Sequence, residues 1–130
     1  MYIGTQGGFR TDEELQVLSQ LGINNVDITP AEPWTEWTAD TFVRMREQCA
    51  RFGIDMELTH LPLRGRPAIS GNLDDRANDN YAGVIFLGPS DERERAIDRV
   101  HEVIKMASEA GLRGLQYNIT VLGHMRTYRS

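Results

Sequence analysis

Apolar side chains recur at helical spacing in three segments of the chain, and each segment is followed by a glycine and a short, largely apolar run. Residues three and four positions apart share one face of a helix, and a glycine just past the last turn commonly ends it. We therefore predict three repeats of helix, glycine and strand. The predicted apolar faces are Leu15, Leu18 and Leu21; Phe42, Met45, Cys49 and Phe52; and Ile97, Val100, Ile104 and Ala107, with Gly22, Gly53 and Gly111 as the terminating glycines.

Polar residues indicate where the three helices begin. Thr11 and Glu14 have the spacing of a capping box. The second helix is predicted to begin near Thr38 and the third at Ser90 or Asp91. Strands are predicted over residues 23–29, 54–61 and 112–119, and residues 2–5 supply a first strand. The predicted order of elements is βαβαβαβ.

Alternation of polar and apolar residues within the strands helps to choose the architecture. Strands that alternate with helices form a parallel sheet, because each helix returns the chain to the same end of the sheet. Asp27, Glu57 and Gln116 each stand between apolar neighbours. A sheet covered by helices on both faces favours continuous apolar strands, whereas a barrel with a polar cavity shows alternation.

The predicted fold class is therefore α/β, a partial (β/α)8 TIM barrel with its first four parallel strands and three helices. A complete barrel of this kind needs about 250 residues, so residues 1–130 are expected to be the N-terminal half of such a domain. A long βα loop is predicted at about residues 62–89, which are rich in Gly, Pro, Asn and Asp. The alternative is a small sheet with one solvated face.

Charge and cysteine content exclude several classes of partner. The formal net charge is −5, whereas nucleic acids and anionic membranes are bound by basic surfaces. We expect no nucleic acid and no membrane as partner, and no apolar run approaches the ~20 residues of a membrane-spanning helix. The single cysteine, Cys49, cannot form a disulfide within the chain and is expected to be a buried thiol. The N-terminus does not resemble a signal peptide, so a cytoplasmic location is expected.

One stretch near the C-terminal end resembles a known family. Residues 88–98, Gly-Pro-Ser-Asp-Glu-Arg-Glu-Arg-Ala-Ile-Asp, contain the start of the third predicted helix, and residues 114–127 contain a Tyr-Asn pair at the end of the fourth predicted strand and an Arg-Thr pair nearby. This segment resembles mannonate dehydratase and its relatives in the xylose isomerase-like barrel superfamily. The resemblance implies a metal-dependent lyase that converts D-mannonate to 2-keto-3-deoxygluconate and water, with a divalent metal such as Mn²⁺ or Fe²⁺.

The resemblance also implies what this chain lacks. The family's metal ligands come from the second half of the barrel, so we expect no metal bound by this chain alone, no catalytic residues in it and no dehydratase activity from it. The expected ligand is a small sugar acid or keto sugar. Two alternatives stay open: a sugar or sugar-phosphate isomerase or epimerase of the same superfamily, and a non-catalytic half barrel that self-associates through its unpaired strand edges.

Four residues are predicted to contact the substrate. Tyr117 and Asn118 end the fourth predicted strand, His60 ends the third, and Arg126 could bind a carboxylate. The alternative for His60 is a packed or solvent-exposed histidine, which its shared strand parity with Met56 and Leu58 favours. Tyr117 could instead pack under a helix, and Arg126 could be an ordinary surface arginine. Asp27 and Glu57 are expected to point the same way, as a possible pair of carboxylates.

Overall fold

The computed structural model describes residues 3–61, 63 and 83–117. This part of the chain forms four parallel strands and three α-helices in the predicted βαβαβαβ order. The strands are β1 (Gly4–Gly7), β2 (Asn25–Ile28), β3 (Asp55–His60) and β4 (Gly114–Gln116), and the α-helices are α1 (Asp12–Gln20), α2 (Ala39–Ala50) and α3 (Asp91–Glu109). Two 3₁₀ helices lie in the connections, at Trp34–Glu36 and Gly83–Phe86. The prediction of an α/β fold is confirmed.

Each α-helix begins at a hydroxyl residue that satisfies a free backbone N–H. Thr11 and Glu14 form the predicted capping box at the start of α1. The hydroxyl of Thr38 accepts a hydrogen bond from the backbone N–H of Thr41 in α2, and that of Ser90 accepts one from Arg93 in α3. Such caps are each worth about 1 kcal/mol. The predicted helix starts are therefore confirmed.

The three predicted glycines lie two or three residues beyond the ends of the α-helices. Gly22, Gly53 and Gly111 have φ angles of 75°, 71° and 76°. A residue with a Cβ atom is strained in this left-handed region, whereas glycine is not. Each glycine therefore allows the chain to leave its helix and turn into the next strand.

The first strand lies later than predicted. It covers Gly4–Gly7 instead of residues 2–5, and Ile3, which made the earlier position attractive, is 44% exposed. Glycine carries little strand signal in a sequence. The position of β1 depends instead on its pairing with β2, which places Gly4 opposite Asn25 and Gly7 opposite Ile28.

The apolar core lies between the helices and one face of the sheet. Its buried side chains include Leu15 and Leu18 from α1, Phe42 and Cys49 from α2, Val100, Val103 and Ala107 from α3, and Val26, Ile28 and Met56 from the sheet. Ile104 was predicted to face this core, but it is 41% exposed, while Val103 is fully buried. In this long helix the buried stripe runs through Ala96, Val100, Val103 and Ala107, because steps of three and four residues follow the 3.6-residue turn.

The order of the strands determines which face of the sheet the helices cover. The described sheet has the order β1-β2-β3-β4 without reversal. Since nearly all βαβ connections are right-handed, consecutive connections in one direction place their helices on the same face. The opposite face carries Gln6, Leu58 and Gln116, all of which are exposed. A doubly wound sheet instead reverses its strand order.

Candidate functional site

An irregularity in β3 determines which residues share the face opposite the helices. Val26 pairs with Met56, but the next residue of β2, Asp27, pairs with Leu58, so β3 advances by two residues while β2 advances by one. Such a β-bulge changes the alternation of side chains along the strand. Beyond it, Thr59 is completely buried and His60 pairs with Gln116 of β4. His60 therefore lies on the opposite face from Met56.

Two expectations about strand parity are wrong because of this bulge. His60 does not pack with Met56, which is 1% exposed within the core, but contacts Asp27 and Gln6 instead. Asp27 and Glu57 do not form a pair of carboxylates either. Glu57 forms an ion pair with Arg113, with 2.6 Å between Oε1 of Glu57 and Nη1 of Arg113. The carboxyl group of Asp27 contacts His60 instead.

Three polar side chains from three strands meet on this face, and we call Gln6, Asp27 and His60 the polar cluster. Nε2 of Gln6 lies 2.8 Å from Nε2 of His60. Nδ1 of His60 lies 3.2 Å from Oδ2 of Asp27. The side chain of His60 is 24% exposed and that of Asp27 is 8% exposed. The imidazole therefore bridges β1 and β2 from the end of β3, with one edge accessible to a ligand.

Asp27 is the most unusual member of the polar cluster. Burial raises the pKa of its carboxyl group, and the nearby His60 partly opposes that increase. Although His60 is close, neither carboxylate oxygen has a hydrogen-bond partner of good geometry within the described residues. Buried polar atoms are nearly always paired, and an unpaired one costs about 1–3 kcal/mol. The carboxylate thus has unused capacity to accept hydrogen bonds.

Thr59, the residue before His60, places a buried hydroxyl group on the core side of β3. The Oγ1 atom of Thr59 donates a hydrogen bond of 2.8 Å to the carbonyl oxygen of Ile28, at the end of β2. The described strand pairing of β2 with β3 ends one residue earlier, at Asp27 and Leu58. The side chain of Thr59 therefore ties the two strand ends together just beside the polar cluster.

The predicted site residues have different outcomes. His60 is part of the polar cluster, while Tyr117 is 60% exposed and does not pack under a helix. Asn118 and Arg126 lie outside the described residues. The sequence interpretation missed Gln6 altogether. The sequence pattern around Gln6 is weak, because one polar residue in a glycine-rich strand cannot be distinguished from a loop residue until the strand is placed beside β2.

Residues 3–61, 63 and 83–117 contain neither a cluster of metal-ligating side chains nor a membrane-spanning helix. In this part of the chain no group of three or more His, Cys, Asp or Glu side chains is placed to hold a metal ion. Asp27 and His60 offer two such groups, which is too few for a protein-held Mn²⁺ or Fe²⁺ site. Over the same residues, no helix is both long and apolar enough to cross a membrane.

Cys49 is a buried free thiol, as predicted. It is 1% exposed on the core side of α2. Burial, assisted by the negative charge of Asp55, raises its pKa to about 11. Since the thiolate is the reactive form of cysteine, this residue is suited to packing and not to nucleophilic attack.

Comparison with known proteins does not assign the chain to a family. No protein-family model matches it, and a search of curated proteins finds no match either.

Proposed function

We propose that the chain forms one wall of a (β/α)8 barrel that binds an open-chain sugar acid, in a metal-dependent dehydratase of the mannonate dehydratase kind. The observation that carries the proposal is the polar cluster. Gln6 and His60 lie in the second half of their strands, on the face opposite the helices. In barrels of this type the substrate binds at the carboxyl ends of the strands.

The order of the strands supports a barrel over other α/β folds. Consecutive strands wound in one direction, with helices on one face, are the arrangement that curves into a closed barrel. In the described sheet β1 pairs only with β2, and β4 only with β3. Both edge strands are thus available to further strands that would close the barrel around the polar cluster.

The chemistry of the polar cluster suits a polyhydroxylated ligand. A buried carboxylate accepts hydrogen bonds from hydroxyl groups, an imidazole can accept or donate, and a primary amide does both. Dehydration of a sugar acid requires a base, an acid and a cation that stabilises the developing negative charge. The described residues do not make a complete metal site, so their proposed contribution is to bind and orient the hydroxyl groups of the substrate.

Binding of D-mannonate to the purified chain tests the proposal. One wall of a pocket supplies only a few hydrogen bonds, so we expect a dissociation constant on the order of 1 mM, equivalent to about −4 kcal/mol. The readout is the change in the backbone ¹H–¹⁵N NMR signals of the residues around position 60, which are present in every variant. H60N and D27N should weaken binding at least about tenfold, the effect of losing one hydrogen bond to a charged group. H101N is the matched control, because His101 is exposed on α3.

The same titration separates the competing functions. Binding of a keto sugar such as D-fructose without binding of D-mannonate would favour the isomerase or epimerase alternative. Binding of neither ligand, or equal weakening by H60N and H101N, would contradict the proposed site. In a parallel assay with added Mn²⁺, we expect no release of 2-keto-3-deoxygluconate by this chain alone.

A second candidate is association through the edges of the sheet. Ile3 beside β1 and Tyr117 after β4 are 44% and 60% exposed. Unpaired strand edges with apolar neighbours favour pairing with another chain. Sedimentation of the purified chain tests this candidate: a dimer is the expected result, and a monomer at high concentration would exclude it.

A further inference from the structure

The nearest polar neighbour differs between the two nitrogens of the His60 imidazole, although the amide nitrogen of Gln6 also lies 3.3 Å from Nδ1. Oδ2 of Asp27 lies 3.2 Å from Nδ1, and the amide nitrogen of Gln6 lies 2.8 Å from Nε2. A neutral imidazole carries one proton, so one nitrogen donates a hydrogen bond and the other accepts. The neighbours therefore determine which of the two forms of the ring is stable.

The carboxylate of Asp27 favours one of the two positions of the proton on the imidazole ring. An ionised carboxylate only accepts hydrogen bonds, so a proton on Nδ1 gives an attractive contact. A proton on Nε2 would instead place the lone pair of Nδ1 against the lone pairs of Asp27. The opposite orientation of the Gln6 amide does not rescue that arrangement, because the repulsion at Nδ1 would remain. With the proton on Nδ1, Nε2 accepts a hydrogen bond from the amide of Gln6.

The contact between Asp27 and His60 is longer than a strong hydrogen bond and leaves lone pairs of the carboxylate unused. The 3.2 Å separation is long for a charged hydrogen bond, and within the described residues both carboxylate oxygens lack a partner of good geometry. Hydrogen bonds of this kind are often long in the absence of ligand and shorten when it binds. A ligand hydroxyl near Asp27 would use the free lone pairs, and one near Nε2 would replace the amide of Gln6.

We propose that Asp27 is a positioning residue that holds His60 in the Nδ1-protonated form, so that the lone pair of Nε2 is the hydrogen-bond acceptor that orients a ligand hydroxyl. The amide of Gln6 then occupies the position that a ligand hydroxyl takes. The ligand hydroxyl then donates its hydrogen bond to Nε2, and the carboxylate of Asp27 keeps the ring proton on Nδ1. This inference rests on the proposed function, because it names the acceptor for the hydroxyl group of the same polyhydroxylated ligand.

The ¹⁵N NMR signals of the two imidazole nitrogens test the inference without any ligand. At a pH of about 8, where an ordinary histidine is neutral, the shifts of Nδ1 and Nε2 report which nitrogen carries the proton. A hydrogen bond to a charged acceptor favours one form by at least about tenfold. We therefore expect His60 to be Nδ1-protonated at least about tenfold over the other form. The exposed His101 in the same spectrum is the internal control, and H60N assigns the signals.

Two variants identify the residue that holds the proton. D27A should shift His60 to the mixture of forms shown by His101, whereas Q6A should leave the Nδ1-protonated form in place. Nε2-protonated His60 in the unmodified chain would overturn the inference, and that result does not require D27A to fold. Loss of the Nδ1-protonated form in Q6A but not in D27A would overturn it as well.

The two proposals can fail separately. If D-mannonate does not bind but His60 is Nδ1-protonated, the proposed substrate is wrong and the role of Asp27 stands. If D-mannonate binds while His60 is protonated at Nε2, the site is correct and Asp27 does not position the ring in this way.

Discussion

Replacing Thr59 by valine tests whether the tie between β2 and β3 stabilises the fold beside the polar cluster. Thr59 is completely buried, and its hydroxyl donates a 2.8 Å hydrogen bond to the carbonyl oxygen of Ile28. Valine has nearly the same shape but no donor, so the carbonyl oxygen loses this partner in a buried position. The loss of such a bond costs about 1–2 kcal/mol.

Urea unfolding followed by circular dichroism measures this cost for T59V. With a denaturant dependence of about 2 kcal/mol per molar urea, the midpoint should fall by about 0.5–1 M. The slope of the transition should not change, because the variant buries the same surface.

T35V is the matched control for this experiment. Thr35 lies in the first 3₁₀ helix and its side chain is exposed. A substitution at such a position changes stability by no more than about 0.5 kcal/mol. If T59V and T35V unfold at the same urea concentration, the hydrogen bond from Thr59 to Ile28 does not stabilise the chain, and the tie we assign to the ends of β2 and β3 is refuted.

Two further predictions concern buried ionisable groups. Because the pKa of Asp27 is raised in the folded chain, the chain loses stability as pH rises from the pKa of the unfolded state, about 3.9, through the pKa of the folded state. At neutral pH D27N should therefore unfold at a higher urea concentration than the unmodified chain. At a pH of about 2, below both pKa values, D27N should give no such gain. D98N, at an exposed position of α3, is the control, and a loss of stability in D27N at neutral pH would contradict this reasoning. Because the thiol of Cys49 is 1% exposed and its pKa is raised to about 11, a disulfide reagent at neutral pH should modify it only as fast as the chain unfolds. Rapid modification of the folded chain would show that the thiol is accessible.

Local sequence patterns determined the helices and their ends. The hydroxyls of Thr11, Thr38 and Ser90 contact backbone groups three residues away, and Gly53 is needed for a turn directly after its helix. These interactions lie within a few neighbouring residues, so they can be read from the sequence. The alternation of helices and strands in turn determined that the sheet is parallel.

Only the tertiary structure decided which polar side chains meet. Simple alternation along β3 places His60 with Met56, but the bulge opposite Asp27 moves it to the other face of the sheet. Gln6 joins the polar cluster only because β1 pairs with β2 at Gly4–Gly7, two residues later than its apolar start indicated. Strand register and bulges depend on contacts between residues that are distant in the chain, whereas periodicity records only near neighbours. The sequence therefore predicted the strands on which a site could form, and the pairing of those strands decided that it contains Gln6, Asp27 and His60.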